Sequence, residues 1–208
     1  MRTISHLVIL GHPSPDSFNS AVAGRYVEAV RANHQDAILR DLYALDFDPR
    51  LRESERLPAG GDALELDART ELELLQQCDV VAFVYPLWFG MPPAIIKGYI
   101  DRIFGAGFRL ESLKRPDQKI MSGKQLAVLS TSASTRPWLE AQGMWVSLRQ
   151  SFETYLRTVF GFSKDHHYHA GSIGDDLSPA EAERVFYEVE EFARIVCAEA
   201  AIEMRQRR

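Results

Sequence analysis

Asp79-Val80-Val81-Ala82-Phe83-Val84-Tyr85-Pro86-Leu87-Trp88-Phe89-Gly90-Met91-Pro92-Pro93-Ala94-Ile95-Ile96-Lys97-Gly98-Tyr99-Ile100-Asp101-Arg102 joins an apolar run to an aromatic loop and then to a proline-started helix. The run shows no alternation of polar and apolar residues, as a central parallel strand covered on both faces requires. Pro93 suits a first helical turn, where its missing N–H costs nothing, and Gly105 stands where that helix is expected to stop. Ile95, Ile96, Tyr99, Ile100, Ile103 and Phe104 recur at helical spacing and give the helix a wide apolar face toward the sheet. Trp88 and Phe89 therefore fall at the carboxyl end of a buried strand, where open α/β sheets bind ligands, and the aromatic pair suits a flat ring.

Outward from this junction, strand-length apolar runs alternate with helical patterns, the mark of a parallel sheet wrapped by helices. Strands are expected at residues 7–10, 37–40, 80–85, 126–131 and 166–169. Helices are expected at residues 17–31, 63–77, 93–104, 146–160 and 179–205. The last opens with Ser178-Pro179-Ala180-Glu181, which combines an N-cap serine, a first-turn proline and a capping-box glutamate. Residues 42–62, rich in proline, glycine and charge, read as a long surface excursion. A chain of 208 residues, 46% hydrophobic, suits one domain with a sizeable core. The formal net charge of −5 argues against a nucleic-acid or anionic-membrane surface as partner. No apolar run reaches membrane-spanning length, no leader is recognised, and Cys78 and Cys197 lack metal or redox spacing, so a cytoplasmic location is expected.

After the first strand, Gly11-His12-Pro13-Ser14-Pro15-Asp16-Ser17-Phe18-Asn19-Ser20 forms a turn that opens a helix. Free N–H groups and the dipole at such a start favour an anion, and His12, Ser17, Asn19 and Ser20 offer neutral donors beside it. A plain cap made by Ser17 or Asp16 is the competing reading. Neither a P-loop nor the three-glycine dinucleotide fingerprint is present.

With both segments in hand, the sequence resembles the NAD(P)H:quinone oxidoreductase branch of the flavodoxin-like flavoproteins, which includes the modulators of drug activity. Gly11-His12-Pro13 with Ser17-Phe18-Asn19 is similar to that family's flavin-phosphate loop. Pro86-Leu87-Trp88-Phe89-Gly90 through Arg102 is similar to its isoalloxazine loop, and Gly123 to Ser132 to the strand delivering the loop at the ring's far edge. The resemblance implies a doubly wound five-stranded parallel sheet of order 2-1-3-4-5 with helices on both faces. It also implies bound FAD or FMN, a homodimer with the active site at its interface, NADH or NADPH as hydride source, and a quinone or other small acceptor. Thr131 to Ser134 followed by Trp138 replaces the paired glycines, tyrosine and histidine of the mammalian members, which leaves the acceptor open.

The candidate cofactor-binding residues are His12, Ser17, Phe18, Asn19, Ser20, Pro86, Leu87, Trp88, Phe89, Gly90, Thr131, Ser132, Ala133 and Ser134, with Trp138 and Phe108 toward the substrate. Backbone N–H groups of the loops at Trp88 and Thr131 to Ser134 are expected to donate to the ring edge, where charge develops on reduction. No nucleophile is required, because hydride transfer between stacked rings is chemistry of the cofactor. Packing alone is the rival reading for Trp88 and Phe89. His166-His167-Tyr168-His169 lacks a carboxylate or cysteine at ligand spacing and is not read as a metal site; Asp101 and Arg102 read as an ion-paired helix surface. The alternative function is a flavodoxin-type electron carrier or a flavin-binding regulatory subunit with little turnover.

Overall fold

A computed structural model of the chain describes residues 2–55 and 64–207. Ala63 of the second expected helix and residues 56–62 of the excursion lie outside the described residues. The elements run β1 (Ser5–Leu10), α1 (Phe18–Ala32), β2 (Asp36–Asp41), α2 (Leu66–Gln77), β3 (Val80–Pro86), α3 (Ala94–Tyr99) and α4 (Gly105–Gly107). They continue with β4 (Gln125–Thr131), α5 (Arg136–Ala141), α6 (Met144–Arg149), β5 (Lys164–Ala170) and α7 (Pro179–Gln206). The strands form one parallel sheet in the order β2-β1-β3-β4-β5. This is the expected topology. β3 and β4 are buried along their whole length, which is why their sequences are unbroken apolar runs.

The two faces of the sheet have different chemistry. Under α1 and α7 the core is mainly aliphatic, with Val8, Leu10, Val22, Val30, Val84, Val189 and Val196 around the buried Tyr26. The other face, under α2, α3 and the helix that continues α6, is aromatic, with Phe83, Tyr85, Tyr99, Phe104, Phe152 and Phe160. Phe104 meets Phe160 edge-on at 5.1 Å between ring centroids. α7 carries the expected capping box at Ser178 and Glu181.

The helix expected to stop at Gly105 does not stop there. α3 passes without a break into a widened π turn, Ile100–Phe104, and on through α4, with Gly105 in helical conformation at φ −57°. Arg102, expected on the surface, is fully buried. Its guanidinium donates to Glu55 at 2.7 and 2.9 Å, to Asp67 at 2.8 Å and to the Asp48 carbonyl at 2.7 Å, above the Phe47 ring. The excursion after β2 folds back over the helix, and a buried arginine is tolerated because its donors meet two carboxylates. The sequence of the helix alone does not carry that information. The expected helix 146–160 begins at Met144 and widens over Gln150–Thr154 and Arg157–Gly161, while α5, with only six residues, is too short to show a period. No helix among the described residues is long and apolar enough to cross a membrane.

Candidate functional site

The loops after β1, β3 and β4 meet at the carboxyl edge of the sheet, beside the strand-order switch. Gly11 donates its N–H to Val84 at 3.0 Å, and a Cβ there would meet Ile96 Cγ1 at 2.6 Å, so only glycine lets the loop lie this close to α3. The chain then enters α1 with Ser17 as N-cap, its hydroxyl accepting from the Ser20 N–H at 3.1 Å. Ser17 and Ser20 hydroxyls lie 2.9 Å apart. The N–H groups of Phe18 and Asn19 make no hydrogen bond among the described residues, so the positive end of a 15-residue helix keeps two open donors. His12 accepts the Ser14 N–H on Nδ1 at 3.0 Å, which leaves Nε2 to carry the neutral ring's proton. Capping by Ser17 and an anion site at the next N–H groups are therefore compatible.

Two predicted phosphate-side residues have different surroundings from those expected. The Phe18 ring stacks on Phe186 of α7, 5.2 Å between centroids and 21° between planes, so it belongs to the helix interface and only its backbone faces the crevice. Asn19 is buried and exchanges hydrogen bonds with the Thr131 hydroxyl at 3.1 and 3.2 Å, tying α1 to the end of β4. Its amide braces the site.

The aromatic loop is a two-residue hairpin turn. Trp88 N–H donates to Met91 O at 3.0 Å and Met91 N–H to Trp88 O at 3.1 Å, with Phe89 at φ 51° and Gly90 at φ 80°. A phenylalanine with positive φ is a strained residue, held by its surroundings. Phe89 is fully exposed at the tip, Met91 is exposed, and Trp88 is 39% exposed with its ring 5.8 Å from His12. The turn consumes the Trp88 N–H, and Leu87 N–H goes to Thr131 O at 2.7 Å, so only Phe89 and Gly90 keep open N–H groups here. Pro86 is buried in β3 and Leu87 packs on the core; both support the wall from behind.

On the opposite side, Thr131 and Ser132 are buried, and Ser132 N–H is taken by Ala170 O at 3.0 Å. Ala133 and Ser134 keep open N–H groups, and Ala133 is exposed. Trp138, half exposed in the first turn of α5, donates its N–H to the Thr135 hydroxyl. Behind this loop, Ser130, Ser132, His167 and His169 form a hydrogen-bonded group beneath Trp145. That group was not expected; period-two alternation along β5, which puts His167 and His169 on one face, was the available signal. His166 and Tyr168 point the other way, toward Phe192.

Phe108 packs on Phe160 at 5.8 Å beyond the far end of the helix that starts at Ala94, roughly 20 Å along at about 1.5 Å per residue, so it lies away from the crevice of its own chain. A separate apolar cavity of about 610 Å³, between Ile100, Phe152, Tyr155 and Phe160, shares no lining residue with the crevice.

The family model described as "Flavodoxin-like fold" matches residues 5–188. The chain is 33% identical over 132 residues to an uncharacterized NAD(P)H oxidoreductase of Haemophilus influenzae, covering 63% of this chain and 65% of that protein. The chain thus spans just under two thirds of that relative's length. Among solved structures, an NAD(P)H:quinone oxidoreductase from Methanothermobacter marburgensis superposes with TM-score 0.78 at 22% identity, over 93% of this chain and 96% of that one. An FMN-dependent NADH-azoreductase from Bacillus anthracis, in complex with FMN, superposes with TM-score 0.65 at 17% identity, over 94% of this chain and 100% of that one.

Proposed function

The chain belongs to the family with the flavodoxin-like fold, and from that premise we propose that it is a flavin-dependent NAD(P)H oxidoreductase that passes two electrons to a quinone or another small acceptor. One observation carries this reading: two open N–H donors at the start of α1 and an open aromatic wall at Trp88 face the same crevice, joined by the His12–Trp88 contact. These residues fit a flavin, FMN or FAD, whose phosphate would be held by the Phe18 and Asn19 N–H groups with Ser17, Ser20 and His12 Nε2 as neutral donors. When bound, the flavin supplies the hydride chemistry. Trp88 and Phe89 orient the ring from one side. Phe89 and Gly90 N–H groups on one loop, and Ala133 and Ser134 N–H groups on the other, are the donors available to its polar edge. Trp138 lines the side where nicotinamide and acceptor alternate. The NAD(P)H oxidoreductase, the quinone oxidoreductase and the FMN-binding azoreductase named above support this assignment.

The whole chain is proposed to act as one flavin-binding unit in a homodimer. Phe89, Met91 and Trp138 support this, since all three are exposed around the crevice where a second copy would close it. The test is to titrate the purified protein with FMN and with FAD, then add NADH or NADPH without air. Uptake of flavin followed by bleaching within a turnover time is expected. Failure to take up either flavin overturns the flavin site, while uptake without bleaching converts the enzyme into an electron carrier. Trp88→Ala is expected to weaken flavin binding by about 1–3 kcal/mol, the worth of one aromatic stacking contact, as read by fluorescence titration. Unchanged affinity would remove Trp88 from the ring site.

A further inference from the structure

The register of β4 and β5 sets Ser130 beside His169 and Val128 beside His167, so the Ser130 hydroxyl bonds both imidazoles on the aromatic face of the sheet. The direction of each bond follows from the last one. Ser132 Oγ donates its only hydrogen to the Ser134 carbonyl at 2.8 Å, so its 3.1 Å contact with His169 is accepted from Nε2–H. Burial, with the charges of His167 and Arg136 nearby, pushes His169 down to about 4, so at neutral pH its Nδ1 carries no proton. Ser130 Oγ must then donate to that nitrogen at 2.8 Å and accept from His167 Nε2–H at 2.8 Å. His167 Nδ1 lies 2.6 Å from Glu153 Oε1, a close contact off the ideal hydrogen-bonding direction, with both side chains almost wholly buried and neither atom hydrogen-bonded to any other group. A bare ring nitrogen against a bare carboxylate oxygen would set lone pair against lone pair in a site of low dielectric.

We propose that a single proton is held between Glu153 and His167, and that the string Glu153, His167, Ser130, His169, Ser132 runs one way into the loop at residues 131–134. Glu153 and His167 are thereby positioning residues for that loop. The string ends on a backbone carbonyl, so it hands no proton to the crevice. Together with backbone bonds from Ser172 N–H to the Ser134 carbonyl and from Ser132 N–H to Ala170 O, it orients the loop, with the Ser134 carbonyl turned inward and the Ala133 and Ser134 N–H groups left open. The functional meaning rests on the flavin reading given above; the string itself does not.

The charged groups around it are accounted for. Arg149 donates to Glu153 Oε2 at 3.1 Å and to Asp165 at 3.2 Å, and Arg157 also meets Asp165. Arg136 lies over the Trp145 ring at 4.7 Å, and that ring covers His167 and His169 at 4.8 and 5.2 Å. From β3, Tyr85 presents its buried hydroxyl, which burial and the Glu153 charge keep protonated.

The experiment is nuclear magnetic resonance of the full chain with ¹⁵N-labelled histidine, without flavin, at neutral pH. A neutral His169 protonated at Nε2 is expected, with one far-downfield proton at His167 Nδ1. Glu153→Gln should abolish that downfield signal and shift the backbone amides of Ser132, Ala133 and Ser134. A His169 protonated at Nδ1, no downfield proton, or loop amides unmoved by Glu153→Gln would each overturn the proposal. If Glu153→Gln does not fold, Ser130→Ala interrupts the string at its middle, and the same loop amides must shift while the His169 ring, still held by Ser132, keeps its proton on Nε2. Flavin titration separates the two claims. A wild-type chain that binds no flavin defeats the oxidoreductase reading and leaves the ring-nitrogen result to judge the string, whereas a flavin-binding chain with unmoved amides defeats the string alone.

Discussion

The loop after β3 and the loop after β4 face each other across the crevice, and they are stiffened by opposite means. The first closes on its own backbone, with two hydrogen bonds between Trp88 and Met91, a strained Phe89 and side chains left in the open. The second is held from outside itself, by backbone bonds to residues 170–173 and by buried side chains, through Asn19 on one flank and His169 on the other. A wall made by local turn geometry should tolerate distant substitutions, and a wall made by a buried polar network should not.

The largest effect is expected at the buried end of that network. Glu153→Ala leaves buried His167 without its carboxylate and Arg149 with Asp165 alone, and chemical denaturation should show a loss of about 3 kcal/mol, typical for removing one partner of a buried pair. A loss under 1 kcal/mol would show that the second wall does not depend on this network.

A pH series sharpens the same contrast. His169 and His6 are both held by burial at about 4, below the ordinary histidine value near 6.5. A depressed value means that the unfolded chain takes up protons first as pH falls. Their contribution to stability is therefore full above about 6.5, declines as pH falls toward 4, and is flat below. Denaturation midpoints across this window should fall, and Trp88, on the other wall, should report no separate loosening.

Asn19→Ala removes the amide that bridges α1 to Thr131 and strands the threonine hydroxyl in a buried place, at about 1–3 kcal/mol. Because the same change loosens the anion end of the crevice, flavin affinity should fall with it. The smallest effect is expected on the first wall: Phe89→Gly relieves a positive φ and should raise folding stability by about 1 kcal/mol while weakening flavin binding or self-association. A stability loss instead would mean that the exposed ring packs on something in the isolated chain.

Much of the fold was legible because the signals were local. The unbroken run of β3, the proline at the head of the next helix and the capping box of α7 each declare themselves within a few residues, and alternation of strand and helix patterns then implies the sheet. The positions of Trp88, Ser17 and Ala133 followed from that frame, since strand ends in such a sheet share one edge. Arg102 was misplaced because its surroundings come from the excursion after β2, far away along the chain, and the packing of Phe108 on Phe160 is equally non-local.

The sequence by itself determined the strands and helices, the crevice edge and the aromatic loop, because hydrophobic period and helix punctuation act over a few residues; the strand order came only with the family resemblance. Only the tertiary structure decided that Arg102 is buried, that the Phe18 ring turns away to α7, and that Ser130, His167 and Glu153 join in one string. Those outcomes depend on β4–β5 register and on which helix covers which face, and hydrogen-bond partners brought together in that way leave no periodic trace in the chain.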